Sequence, residues 1–120
     1  MRILVAGGLD VCGVLAFVAI GRASHDEAGS VTGFASTAWP FLVGLAVGWG
    51  AVRAWRRPDA VVPSGVGVWL VTVAAGMVLR VVSGQGTAFA FVLVALAFLA
   101  LVLLGWRFAA GRIAGSRGRP

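Results

Sequence analysis

The chain has 120 residues, of which 60% are hydrophobic and only 12% are charged. Soluble domains carry about 25% charged residues, and a chain this short has too little interior to hide so much apolar surface. The composition therefore excludes an ordinary water-soluble domain and favours a chain that lies in a lipid bilayer. The net charge of +6 comes from arginines at the ends of apolar runs, a pattern that argues against nucleic-acid binding.

Four apolar segments are long enough to span a membrane, which takes about 20 residues in a helix. We therefore expect an all-α membrane protein, a bundle of four transmembrane helices at about residues 3–21, 38–55, 62–82 and 87–107. Residues 1–110 would form this domain. Residues 111–120 are rich in Gly and Arg, and we expect a disordered cytoplasmic tail there.

The first segment also has features of a secretory signal peptide, since it begins with Met1 and Arg2 and is apolar. Its length, the interruption by Asp10 and the lack of a small-residue cleavage site in "IGRASH" favour a retained helix instead. In the second segment, Pro40 suits the first turn of a helix, where a missing N–H costs nothing.

The arginines are distributed unevenly between the two ends of this bundle. With four spans, the N-terminus, the second connection and the tail share one side and hold eight of them, whereas the other side holds Arg22 and Arg80. The positive-inside rule then places both termini in the cytoplasm. We expect the chain to lie in the plasma membrane. We expect Trp39, Trp106 and Arg107 to anchor the helices at the interfaces, and the tail to contact anionic lipids.

Glycine is abundant, with 18 residues, many of them inside the expected helices. Small residues let helix backbones approach closely in lipid. Gly44 and Gly48 form a GxxxG pair on the face that carries Pro40, and we expect this face to be buried against another helix. Gly13 and Gly76 are the packing positions expected in the first and third helices. Association of the chain with a second copy stays open.

Asp10 is placed within the first apolar segment, where a carboxylate costs several kcal/mol unless it is paired or protonated. It lies about 10 Å above the inner edge of the membrane core. Arg53 reaches a similar depth, about 8 Å above that edge, if the second helix begins near residue 38. Arg80 reaches toward Asp10 from the outer side if the third helix begins late. Arg53 and Arg80 are therefore the two alternative ion-pair partners of Asp10.

A combination of sequence pieces resembles one known family. After Asp10, these pieces are "FVAIGRASH", "TAWPFLVG", "GVGVWLVTVAAGMVLR" and "GTAFAFVLVALAFLALVLLGWR". Together they resemble the DUF3054 family of small four-helix membrane proteins from bacteria and archaea, which has no assigned activity, over about residues 9–107. The resemblance implies that the characteristic positions are Asp10, Arg22, His25, Trp39, Pro40, Arg80, Trp106 and Arg107. Arg53 is outside the pattern, so the resemblance favours Arg80 as the partner of Asp10.

Two classes of function fit these residues. In the first, the protein is a structural or accessory bundle with a fixed Asp–Arg pair. In the alternative, it is a small oligomeric proton-coupled transporter or channel in which Asp10 binds protons reversibly, as a membrane carboxylate does in the small multidrug-resistance family. The candidate functional cluster consists of Asp10, Arg22, His25 and Arg80.

We expect neither an enzyme nor a cofactor or metal. The single Cys12 provides no metal-ligand spacing, and the chain has no nucleophile elbow and no lysine for a phosphate-binding loop. An enzyme that uses His25 and Asp26 in the first connection is the weakest alternative.

Overall fold

The structure is a computed structural model of the chain, and it describes the backbone of residues 2–24 and 30–117 and the side chains of residues 2–23 and 30–113. Within these ranges every regular element is helical. The long helices are α1 (Ile3–Ser24), α2 (Val31–Ala51), α3 (Val66–Val82) and α4 (Phe89–Arg117). A 3₁₀ turn at Ala54–Arg56 and a π-helical turn at Val61–Gly65 lead from α2 into α3.

Among the described residues, four stretches of helix are long and apolar enough to cross a membrane: Ile3–Ala23, Val31–Ala51, Val61–Val82 and Phe89–Ile113. Large apolar side chains on the middle turns of these helices face outward, such as Leu101 with 70% of its surface exposed. Soluble monomers rarely expose contiguous apolar surface of this extent. The expected all-α architecture with four membrane-length helices is confirmed.

Helix α2 begins seven residues earlier than expected. Ser30 caps it, because its hydroxyl accepts a hydrogen bond from the backbone N–H of Gly33 at 3.0 Å. Thr37 fits into the same helix because its hydroxyl donates to the carbonyl of Gly33. These local bonds explain why a segment with several polar residues is helical.

The early start of α2 places Pro40 inside the helix, which corrects the expectation of a first-turn position. Proline has no N–H, so the carbonyl of Ser36 loses its usual partner one turn later. The side-chain amide of Gln85, in the α3–α4 connection, donates to this carbonyl at 3.1 Å. A backbone carbonyl in an apolar medium needs such a partner. Gln85 thus joins the α3–α4 connection to α2 at the proline.

Helix α4 also differs from the expected element, because it continues to Arg117. Most of the segment 111–120, expected as a disordered tail, is therefore helical, and residues 118–120 lie outside the described residues. A helix of 29 residues is about 43 Å long, which exceeds the membrane core of about 30 Å.

Helices α2 and α3 make the most extensive contact in the bundle. A Cβ atom at Gly44 would lie 2.8 Å from the carbonyl oxygen of Thr72, and one at Gly48 would lie 3.2 Å from the Cα atom of Val68. From the other side, a Cβ atom at Gly76 would lie 2.7 Å from the ring of Phe41. These glycines therefore let the two backbones touch.

The centre of the bundle is an aromatic cluster around Phe17. Its ring centroid lies 5.3 Å from that of Phe41, 5.6 Å from that of Phe98 and 6.0 Å from that of Phe91. Next to this cluster, α1 and α4 pack closely, and a Cβ atom at Gly13 would lie 3.0 Å from Val102. The aromatic cluster separates two polar regions. We call the end where α1 begins and α4 ends the Asp10 end, and the opposite end the Arg80 end.

Candidate functional site

Asp10 and Arg107 both lie on the buried faces of their helices. The buried positions of α1 recur every three or four residues: Ala6, Asp10, Val14 and Phe17. Those of α4 recur every four residues: Ala95, Leu99, Leu103 and Arg107. Residues three or four apart lie on one side of an α-helix, so each set forms one face that points into the bundle. Asp10 and Arg107 consequently meet in the interior.

The two side chains form a bidentate ion pair. Nη1 of Arg107 donates to Oδ1 of Asp10 at 2.7 Å, and Nη2 donates to Oδ2 at 2.7 Å. Both side chains are 0% exposed. Parallel N–H···O bonds between a guanidinium and a carboxylate are among the strongest hydrogen bonds in proteins. The charge that makes Asp10 costly in an apolar environment is thus compensated at close range.

Two indole groups complete the shell of Asp10. Nε1 of Trp49, on α2, donates to Oδ2 at 2.8 Å, and Nε1 of Trp106, on α4, donates to Oδ1 at 2.8 Å. A carboxylate has two oxygens with about four acceptor sites. Together with the two bonds from Arg107, all of these sites are filled. The carboxylate of Asp10 therefore has no acceptor site left for a further donor.

Arg107 extends the site to the α2–α3 connection. Its Nε donates to the carbonyl of Pro58 at 2.9 Å, and its Nη1 donates to the carbonyl of Leu103 at 2.9 Å. Gly65 makes room for this side chain, because a Cβ atom there would lie 2.8 Å from Cδ of Arg107. The ion pair therefore links α1, α4 and the α2–α3 connection directly. The hydrogen bond from Trp49 links α2 to the same site.

The structure corrects both expected partners of Asp10. Arg53 lies beyond the end of α2, in a left-handed conformation with φ 52°, and its side chain is exposed. Trp49, one turn earlier, takes the place next to Asp10. Arg80 lies in the last turn of α3 at the opposite end, where it donates to Gly86. The fourth helix, expected to end at an interface near residue 107, instead carries the true partner inside the bundle.

The three described members of the expected cluster are consequently not together. Asp10 is at one end, whereas Arg22 and Arg80 line one cavity at the Arg80 end. Arg22 donates to the hydroxyl of Thr37 at 3.0 Å. His25 lies outside the described residues.

Trp106 and Arg107, expected as interface anchors, are ligands of Asp10, while Trp39 is 39% exposed. Sequence reasoning missed Trp49, Pro58 and Gly65 as parts of the site. The four-residue spacing of Arg107 with Leu103 and Leu99 was the available signal for its inward position. Trp49 gave no comparable signal, because a tryptophan near the end of a span also suits an interface.

Geometry and composition define the class of the protein as a bundle of four helices that are long and apolar enough to span a membrane, with a buried ion pair between the first helix and the last. The chain belongs to the family described as "Protein of unknown function (DUF3054)", whose model matches residues 8–110. This confirms the resemblance seen in the sequence, and the matched range includes both Asp10 and Arg107. No curated protein matches the chain, and no solved structure does.

Proposed function

We propose that this protein is a structural or accessory component of the plasma membrane, in which the Asp10–Arg107 pair permanently holds the bundle together. The observation that carries the proposal is the filled shell of Asp10. Four donors from Trp49, Trp106 and Arg107 occupy a carboxylate that is 0% exposed. Such a group holds the helices that contact it together.

A proton-coupled transport site needs different surroundings. A carboxylate that carries protons must exchange them with water on each side in turn, and it must be stable both with and without the proton. Asp10 is enclosed by its donors, and it is not among the described residues that line the cavity at the Arg80 end. The geometry therefore favours the structural role over the transporter.

The test is proton flux in liposomes that contain the purified protein and a trapped pH-sensitive dye. Under an imposed pH gradient, we expect the wild type to give no more flux than protein-free liposomes. Flux above this background that Asp10→Asn abolishes, while the thermal unfolding of the protein in detergent is unchanged, would establish Asp10 as a protonation site. That outcome would replace the structural role with the transporter.

We further propose that both termini lie in the cytoplasm. Arg107 is internal, but six other arginines among the described residues lie at the Asp10 end, against two at the Arg80 end. The described side chains among them that are exposed are Arg2, Arg53, Arg56, Arg57 and Arg112. The positive-inside rule assigns this end to the cytoplasm.

The same arginines suit contact with anionic headgroups, each worth about 1 kcal/mol near a charged surface. We expect the protein to unfold at a higher temperature in nanodiscs of phosphatidylglycerol than in nanodiscs of phosphatidylcholine. The difference should shrink as salt is added, since salt screens exposed charges. An equal melting temperature in both lipids at low salt would contradict the proposal that anionic lipids are partners.

We also propose that the chain associates with a second copy through the exposed helix faces, and cross-linking in the membrane tests this.

A further inference from the structure

The connection between α2 and α3 carries three arginines within five residues. The backbone N–H of Arg56 donates to the carbonyl of Arg53 at 3.0 Å. The next N–H, that of Arg57, donates to the carbonyl of Ala54 at 3.2 Å. Such bonds between residues three apart bring their Cα atoms close together. Residues 53–57, which we call the arginine turn, therefore present three basic side chains from one short turn.

The guanidinium groups of Arg53, Arg56 and Arg57 have no partner in the part of the chain that the structure describes. All three side chains are exposed, and none forms a hydrogen bond or an ion pair with another described residue. The carboxylate of Asp59, two residues after the turn, is half-buried and pairs with none of them. Positive charges so close together repel one another, and an anion bound among them would offset this repulsion.

Arg53 also has an unfavourable backbone conformation. Its φ is 52°, and it directly follows Val52, the C-cap of α2. Glycine is the usual residue in this left-handed conformation after a helix, because a Cβ atom makes the conformation costly. Strained residues of this kind cluster at binding sites. The arginine at this position thus provides a charge at a fixed place in spite of a cost in stability.

The backbone of the arginine turn is fixed to the buried ion pair. Ala54 is 0% exposed, and the carbonyl of Pro58, directly after the turn, accepts a hydrogen bond from Nε of Arg107. The carbonyl of Arg57 accepts a hydrogen bond from the hydroxyl of Ser64 at 2.6 Å. The exposed basic side chains therefore extend from a rigid base, and groups arranged in advance lose less entropy when they bind a ligand.

Trp55 indicates the depth of the turn in the membrane. It lies between Arg53 and Arg56 in the chain, four residues after the membrane-length stretch Val31–Ala51, and it is 46% exposed. Tryptophans at the ends of membrane-spanning helices lie at the level of the lipid headgroups. The arginines next to it are therefore at the depth of lipid phosphate groups.

We propose that the arginine turn binds a lipid whose headgroup is a phosphomonoester, such as phosphatidic acid. The inference rests on the proposal that anionic lipids are partners, and it adds the place of binding and the headgroup. A phosphomonoester carries a charge of about −1.5 to −2 at pH 7 and three acceptor oxygens. The planar N–H groups of arginine match phosphate oxygens in pairs. Three arginines on one turn favour this headgroup over a phosphodiester, which has a single charge.

The experiment measures equilibrium binding of radiolabelled dioleoyl phosphatidate to the full chain, purified in a neutral maltoside detergent. Dioleoyl phosphatidylglycerol and dioleoyl phosphatidylcholine are the matched probes, with the same chains and a lower or no net charge. We expect phosphatidate to bind saturably at one molecule per chain, and at least about tenfold more tightly than phosphatidylglycerol, because it accepts more charge-assisted hydrogen bonds.

The probes separate failure of this inference from failure of the broader proposal. Equal affinity for phosphatidate and phosphatidylglycerol, both bound more tightly than phosphatidylcholine, would overturn the headgroup and leave anionic lipids as partners. Equal affinity for all three lipids would contradict both proposals. Inorganic phosphate at the concentration of the lipid should not displace phosphatidate. Displacement would show that the turn takes a free phosphate, and would overturn the lipid as its ligand.

Arg56→Gln tests the place of binding, with Arg112→Gln as the matched control. Arg112 is an exposed arginine at the same end of the bundle, outside the α2–α3 connection, so both variants lose one charge. We expect Arg56→Gln to weaken phosphatidate binding by about tenfold or more, and Arg112→Gln by less than about twofold. Equal weakening would show that the lipid contacts the whole basic end, and would overturn the arginine turn as the site.

Arg53→Gly separates binding from folding, because glycine adopts a φ of 52° without a steric cost. We expect the melting temperature of this variant without added lipid not to fall, while phosphatidate binding weakens by about tenfold or more. Phosphatidate binding as tight as that of the wild type would contradict the role of Arg53 in the site.

Discussion

Asp10 and Arg107 are 97 residues apart in the chain and meet through two hydrogen bonds of 2.7 Å. The pair joins the first helix to the last, so Asp10 gains this partner only when α4 packs against α1. Until then Asp10 is without its partner, which is costly in an apolar medium. The same bonds fix the depth of α1 relative to α4, because a shift of either helix by one residue, about 1.5 Å, would break both.

Removal of one indole donor should weaken the bundle measurably. Trp49→Phe and Trp106→Phe each leave one acceptor site of Asp10 unfilled, and we expect each to lower the free energy of unfolding by about 1–3 kcal/mol. Trp39→Phe is the control, since Trp39 is 39% exposed and is not a ligand of Asp10. Chemical unfolding in mixed micelles provides the measurement. A loss in Trp39→Phe equal to that in the other two would show that the indole bonds to Asp10 are not responsible.

The contact of α2 with α3 should not tolerate a side chain at Gly44. Gly44→Leu would drive atoms into the backbone at Thr72, and we expect a loss of about 1–3 kcal/mol or more, because the backbones must separate. Gly50→Leu in the same helix is the control, since a Cβ atom at Gly50 meets no atom of the described part of the chain within 4 Å. Thermal melting of the two variants in detergent separates the effects. Equal melting temperatures would mean that α2 and α3 do not touch at Gly44.

Thr72 is fully buried, and its hydroxyl makes no hydrogen bond in the part of the chain that the structure describes. Thr72→Val keeps the shape and removes the buried polar atom, so we expect stability to rise by up to about 1 kcal/mol. Thr37→Val should instead lower it, because the hydroxyl of Thr37 bonds to both Arg22 and Gly33. Melting temperatures that move in the opposite directions would contradict this assignment of the two hydroxyls.

The proposed orientation is tested by cysteine accessibility in intact cells. Cys12 is first replaced by Ala, and single cysteines are then placed at Gly86 and Gly111, where a Cβ atom meets no atom of the described residues within 4 Å. A reagent that does not cross membranes should label Gly86→Cys from outside, and should label Gly111→Cys only after the cells are opened. Labelling of both positions from outside would place the two ends of the bundle on one side and refute four spans.

The fold was largely predictable from the sequence, because long apolar runs in a chain with few charges have few solutions other than membrane-length helices. The boundaries of the helices were less predictable. The start of α2 depends on the bond between Ser30 and Gly33, and the interior position of Pro40 is tolerated through the bond from Gln85 to Ser36. A hydrogen-bond partner from a distant part of the chain, such as Gln85, leaves no local pattern in the sequence.

The need for a buried partner of Asp10 was predictable from the sequence, but the identity of that partner was not. An aspartate within an apolar run required a compensating group, and an arginine provides it. Which arginine depends on the length and rotation of α4, since a helix that ended near residue 107 would place that side chain at the interface. The continuation of α4 to Arg117 keeps Arg107 on the helical face of Leu99 and Leu103, which faces the interior.

The most direct measurement of the structural role is a double-mutant cycle on Asp10 and Arg107, with free energies of unfolding from mixed micelles. We expect Asp10→Asn and Arg107→Met each to cost about 3–5 kcal/mol, because each leaves the other group buried without its partner. The double variant should cost less than the two together by at least about 2 kcal/mol.

The control cycle combines Asp10→Asn with Arg53→Met, since Arg53 is exposed and lies outside the site. Its two effects should add to within about 0.5 kcal/mol. Two outcomes would contradict the role of this pair in holding the bundle together. One is a cycle on Asp10 and Arg107 whose effects are equally additive, and the other is an Asp10→Asn variant as stable as the wild type.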